Sequence, residues 1–309
     1  ALGYLGSVGG ETEGPLADPK SKLHVLEGLQ KARRASASGD LDTAVDIFKE
    51  IVAEEPLLVD AWQELARNLK NLTRYEEAKE AIEEAMRLSS GTPHVAHLAA
   101  EIYKDLGQIE EAKAHAELAT SGNELAWDLL AQIAIEERDF ETAEDYVNRS
   151  LENRGSRIGP LLTLAALRVA QDRLEEAIEV TTRAAAEFAD NPDRQQLSGL
   201  YFTRGKAYAF QGRTDLAEEA FRTEIDLSPR ILGAYTHLAF LYALDGKAAQ
   251  AGETLGLMVE TNPTPSAHAA AVIALREMRD ERSADAVLRM ALGKWPDSPR
   301  LLELAGQGS

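Results

Sequence analysis

The chain has no cysteine, and only 6% of its 309 residues are aromatic. The first absence removes disulfides and thiolate metal centres, although a cysteine-free chain is compatible with either redox compartment. The second argues against sheets, which favour aromatic and β-branched residues; an alanine-rich chain suits close-packed helices better. Basic residues are outnumbered 52 to 33, for a formal net charge of -19. Such a surface repels phosphate backbones, so nucleic acid is not an expected partner. No apolar run reaches the length of a membrane span; PLLTLAALRVA at 160–170 comes nearest and carries an arginine. The first residues also lack the basic-then-apolar order of a signal peptide.

Signatures of catalysis are equally scarce. There is no G-x-S-x-G, no Walker loop, no H-E-x-x-H and no EF-hand loop. His94 and His97 in PHVAHLAAEIY share a helix face at metal-ligand spacing, but no third ligand accompanies them. A solvated or groove-lining pair is the better reading, and no cofactor is expected.

What is present is a period. LDTAVDIFKEIVAEEP returns in altered form as YEEAKEAIEEAMRLSS, FETAEDYVNRSLEN, TDLAEEAFRTEIDLSP and four further copies. One alanine marks each copy: Ala44, Ala78, Ala112, Ala143, Ala177, Ala217, Ala251 and Ala284, at intervals of 34, 34, 31, 34, 40, 34 and 33. Twelve positions before each stands a second, mostly small series: Ala32, Ala66, Ala100, Ala131, Ala165, Gly205, Ala239 and Val272. Two coupled series on one period mean a repeat array. Each unit offers two amphipathic helical segments joined by turns such as SGD, LGQ, RDF, QGR and LDG. The small residues belong where two helices cross, since only a small side chain lets the backbones approach.

These residues resemble the tetratricopeptide repeat family, whose pattern is W-x2-L-G-x2-Y, then A-x3-F, then P. WQELARNL at 62–69, YFTRGKAY at 201–208, AEEAF at 217–221 and YTHLAFLY at 235–242 carry it, with Pro56, Pro229, Pro263 and Pro296 closing units and Pro192 displaced into the longest spacer. The resemblance implies an all-α fold, an α-α superhelix of about eight helix-turn-helix units over residues 21–309. The units begin near Val25, Val59, Pro93, Glu124, Ile158, Ser198, Leu232 and Pro265, and a short closing helix lies at 298–307. The short third unit and the insert at 189–196 are expected to alter curvature locally. Glutamates such as Glu76-Glu77 and Glu175-Glu176, early in second helices, read as solvated acid matched to the helix dipole.

The same resemblance implies that the first helix of each unit lines a groove for a protein or peptide. Its groove positions give a polar, partly cationic set in units two and three, including Arg67, Lys70, Asn71, His97 and Lys104. Units five to seven give a largely apolar set, including Leu162, Phe202, Lys206, Phe210 and Phe240. An extended peptide with an apolar stretch and an acidic group fits this pattern. Gln63 and Arg67 depart from the Lys/Asn clamp by which some of these domains hold chaperone carboxylates, which makes a co-chaperone role a minor alternative.

Residues 1–20 read as a glycine-rich linker. Their LGYLG element and the DPK at 18–20 resemble the junction that follows the catalytic domain in bacterial sulfatase-family hydrolases with such repeats. That resemblance implies a binding module attached to a sulfatase-like domain, or a part of the enzyme that shapes its substrate site, in an extracytoplasmic setting. A stand-alone repeat protein is instead expected in the cytoplasm. The family's C/S-x-P-x-R nucleophile motif does not occur in these residues, so the chain itself is not expected to be catalytic.

Overall fold

The computed structural model describes residues 23–123, 125–152, 158–188 and 198–306. The N-terminal LGYLG element and linker, Pro192 and the insert at 189–196 lie outside the described residues. Among these residues there are seventeen α-helices and no strand. Contacts divide the chain into two compact units, one ending at Leu106 and the other starting at Gly107.

The first unit holds α1 (Leu23–Ser38), α2 (Leu41–Glu54), α3 (Val59–Asn71), α4 (Tyr75–Ser89) and α5 (Pro93–Asp105). The second holds α6 (Ile109–Ala119), α7 (Leu125–Glu136), α8 (Phe140–Glu152), α9 (Ile158–Ala170), α10 (Leu174–Phe188) and α11 (Leu200–Phe210). It continues through α12 (Thr214–Leu227), α13 (Leu232–Leu244), α14 (Ala248–Thr261), α15 (Pro265–Glu277) and α16 (Glu281–Lys294) to α17 (Pro299–Gly306). Five helices start on the residue expected for their repeat, Val59, Pro93, Ile158, Leu232 and Pro265, and the other three starts fall within two residues.

Both small-residue series are buried throughout, from Ala44 and Ala32 to Ala284 and Val272. Within each unit they sit at helix crossings, where a larger side chain would push the backbones apart. The period also appears in the backbone. Each turn between the helices of a repeat contains one residue at positive φ: Gly39, Thr73, Gly107, Arg138, Asp172, Gly212, Gly246 and Arg279. In seven of these turns the last carbonyls are closed by paired bonds of Schellman type, as where Thr73 N–H reaches Lys70 O and Arg74 N–H reaches Leu69 O. The paired bonds hold the left-handed conformation even where the residue is not glycine, at a local cost of about 1–2 kcal/mol.

Charge stitches neighbouring second helices together. On α4, Glu77 accepts from Arg74 Nε and Nη2 at 2.6 and 2.7 Å and from Lys49 Nζ of α2 at 2.9 Å. The acid read as mostly solvated surface is therefore also, at Glu77, a tie between repeats. The Arg74 hydrogen bonds, followed by those of Lys49, hold the Glu77 carboxyl down at about 2 against an ordinary 4.5. A depressed carboxylate contributes stability above its unfolded value and loses it as pH falls through the folded one. Glu77→Gln should therefore cost about 1 kcal/mol at pH 6, a figure reduced for solvent screening because the Glu77 side chain is 41% exposed. That difference should vanish between pH 4.5 and about 2 in paired urea titrations. A gap between the two chains that persists at pH 2 would show that the tie is not electrostatic.

In the second unit the counterpart is Arg168 on α9, whose guanidinium donates to both Glu144 oxygens on α8 at 2.6 and 2.7 Å. Arg204 on α11 donates to Thr181 O at 2.7 Å and so locks α11 against α10.

Candidate functional site

First helices of successive repeats lie side by side within each unit: α3 beside α5 in the first, and α7, α9, α11, α13 and α15 in the second. The sequence-derived groove residues therefore fall into two groups. Arg67, Lys70 and Asn71 are on α3 and His97 and Lys104 on α5, all in the first unit. Leu162 on α9, Phe202, Lys206 and Phe210 on α11, and Phe240 on α13 are in the second.

In the first group charge is largely answered internally. Lys70 Nζ lies 3.3 Å from Glu101 and 3.9 Å from Asp105. Arg67 is exposed, with Glu64 at 3.8 Å, and Asn71 is exposed at the end of α3. His97 and Lys104 are half-buried and each has a partner. Behind them, buried Asn68 accepts from Ser36 Oγ at 2.8 Å and donates to Glu64 O at 2.7 Å, pinning α3 to α1. This face is polar rather than strongly cationic. Among the described residues no three histidine, aspartate or glutamate side chains form a metal-binding group.

The second group has a different character. Phe202 is half-buried, with its ring 6.1 Å from Phe221 and meeting the His237 ring edge-on at 5.0 Å. Its place is made by Gly233, where an added Cβ would stand 3.0 Å from the Phe202 ring. Lys206 Nζ lies 5.6 Å above the same ring. No carboxylate pairs with Lys206 among the described residues, and burial pushes its ammonium pKa down. His237 donates through Nδ1 to Gly233 O at 2.9 Å; burial, with a smaller contribution from Lys206, lowers its pKa. The imidazole is therefore neutral at pH 7, with Nε2 left as an acceptor.

Around this centre Phe210 is 65% exposed, while Leu162 and Phe240 are half-buried against the core. Phe240 is thus mainly a packing residue, and Phe210 is the aromatic surface available to a partner. His237 was not among the groove positions read from sequence. Its signal is indirect: Gly233 stands one turn before it and leaves room for the aromatic of the preceding repeat.

Glu224 on α12 sets the height of this face. It is fully buried and accepts from the backbone N–H of Gly199 at 2.7 Å and of Phe202 at 3.0 Å. These are donors at the start of α11 that have no helical acceptor of their own. A side chain 22 residues downstream of Phe202 thus caps the helix that carries Phe202, Lys206 and Phe210.

Three segments of the chain, residues 59–92, 93–121 and 198–230, match the model of the tetratricopeptide repeat. Those three segments carry tetratricopeptide repeats. Over 80% of its length this repeat chain is similar in structure to a chain in the crystal structure of the APC/C hetero-tetramer Cut9–Hcn1, with 15% identity and a TM-score of 0.59. It spans about half of that neighbour, 48% of its length. It is also similar to a tetratricopeptide repeat protein from Parabacteroides merdae, with 16% identity, a TM-score of 0.57 and coverage of 86% of this chain and 98% of that one. At such identities the likeness is one of fold. No curated protein matches the chain. Tetratricopeptide repeat scaffolds are commonly protein-interaction modules, and the fold is not typically catalytic.

Proposed function

We propose that the chain is a non-catalytic scaffold that captures an extended peptide on the first-helix face of its second unit. Phe202 and Phe210 receive an aliphatic or aromatic residue, and Lys206 receives a carboxylate. The observation that carries this reading is Lys206 itself: in a chain of net charge -19, an ammonium is held half-buried over an aromatic ring with no carboxylate partner. An unspent buried charge costs stability, and such costs concentrate where a ligand offsets them. The Arg67, Lys70 and Lys104 surface of the first unit plays a weaker part, since Lys70 already has partners.

The test is selection of a random dodecapeptide phage library on the full chain. Enriched sequences should place an acidic residue near an apolar one. For the best peptide, Lys206→Met and Phe210→Ala should each weaken Kd by about tenfold. Lys206→Met should also raise the unfolding free energy by about 1 kcal/mol, because it removes the uncompensated charge. Capture that survives both substitutions would place the ligand elsewhere.

Attachment to a sulfatase-like hydrolase is supported by the LGYLG and DPK residues alone. A C/S-x-P-x-R motif upstream in the same reading frame is the expected finding, and its absence there would leave a repeat protein without such an enzyme.

A further inference from the structure

The third repeat is three residues shorter than its 34-residue neighbours, and the loss falls on α6. That helix has 11 residues, whereas the other second helices have 13 to 15. Missing most of a turn, α6 stops short of α8, and a cleft of about 500 Å³ opens between them, with Trp127 and Leu130 of α7 at its base. The cleft is open to solvent rather than enclosed, as suits a single side chain presented by a partner. Its lining residues come from α6, α7 and α8 and the residue after α6, and none belongs to the groove set read from the sequence.

The chemistry of the cleft is specific. The Arg149 guanidinium sits 4.9 Å from the Trp127 ring centroid, and its Nε is 3.0 Å from Asp145. The Tyr146 ring lies 5.8 Å from that of Trp127. An indole face beside a carboxylate thus already holds one guanidinium, borrowed from the protein's own surface. Glu117 and Glu141 also line the cleft, and neither has an ion pair among the described residues. Three carboxylates against one arginine leave the cleft acidic after Arg149 is satisfied.

The geometry points to a second protein-docking site here, one that receives an arginine side chain from a partner peptide. The incoming guanidinium displaces Arg149 from the Trp127 face and meets Glu117 and Glu141. Arginine suits this cleft better than lysine because its planar head stacks on an indole while its edge N–H groups reach carboxylates.

The experiment titrates the ¹⁵N-labelled full chain with the peptide N-acetyl-Gly-Arg-Gly-Arg-Gly amide, and with its uncharged citrulline counterpart. The Trp127 indole N–H signal, assigned through Trp127→Phe, should shift saturably with the arginine peptide only. Glu117→Gln/Glu141→Gln should raise Kd about tenfold. Arg149→Gln should lower Kd several-fold by vacating the indole. Glu253→Gln/Glu260→Gln on α14 should leave Kd unchanged. Absence of a shift, an equal response to citrulline, or equal weakening by the α14 pair would overturn the proposal.

Discussion

Gly205→Ala should destabilise the chain, by up to about 2 kcal/mol net, although alanine is the better helix former. A Cβ built at Gly205 meets the Phe221 ring at 2.6 and 2.7 Å, closer than real side chains come. Phe221 has no exposed surface, and the rings of Phe202 and His237 pack against it, so it has little room to retreat. Overpacking of this kind costs about 1–3 kcal/mol. Against it stands a helix-propensity gain of about 1 kcal/mol. Gly256 on α14 supplies the contrast, since its Cβ would meet nothing within 4 Å. Gly256→Ala should therefore stabilise by about 0.5–1 kcal/mol. Urea unfolding of both variants gives the answer: equal signs would mean that α11 and α12 do not cross at Gly205.

The second large effect concerns Glu224. Its replacement by alanine removes the acceptor of two backbone N–H groups at the start of α11 and leaves a void where the side chain was. Hydrogen bonds to a charged group contribute about 1.5–3 kcal/mol each, and buried donors left unpaired are costly. A loss of about 3 kcal/mol is expected for Glu224→Ala. Glu224→Gln retains one acceptor oxygen and should lose about half as much. Hydrogen exchange separates a cap from simple cavity formation: the amides of Gly199 and Phe202 should lose protection more than those in the middle of α12. Uniform loss through both helices would show that Glu224 acts as filler. Because α11 carries Lys206 and Phe210, Glu224→Ala should also weaken peptide capture without touching the ligand.

The repeat architecture was legible because it is encoded locally. A small residue every 34 or so positions, and a second one twelve before it, report helix crossings within one unit, and both series proved buried. Positive-φ turn residues repeat at the same intervals, so the turns obey the same local rule even where Thr73 or Arg138 replaces glycine. The functional face was legible only as positions. Lys70 and Lys206 look alike in sequence, yet one meets Glu101 while the other lies over the face of Phe202 with no carboxylate partner among the described residues. The difference comes from side chains about 30 residues away in the first case and from burial in the second.

Glu224 and Glu77 were similarly indistinguishable from the solvated acids around them. Packing alone turned one into a helix cap and the other into a tie between repeats. The shortened third unit was visible as an interval of 31, but as a curvature effect; only the tertiary structure turned it into a cleft with Trp127 at its base.

Sequence by itself determined that this protein is a stack of paired helices, because period, small-residue spacing and turn chemistry all act within one repeat. Tertiary structure decided which charges are spent and which remain available, because that depends on distances between residues that no local pattern brings together.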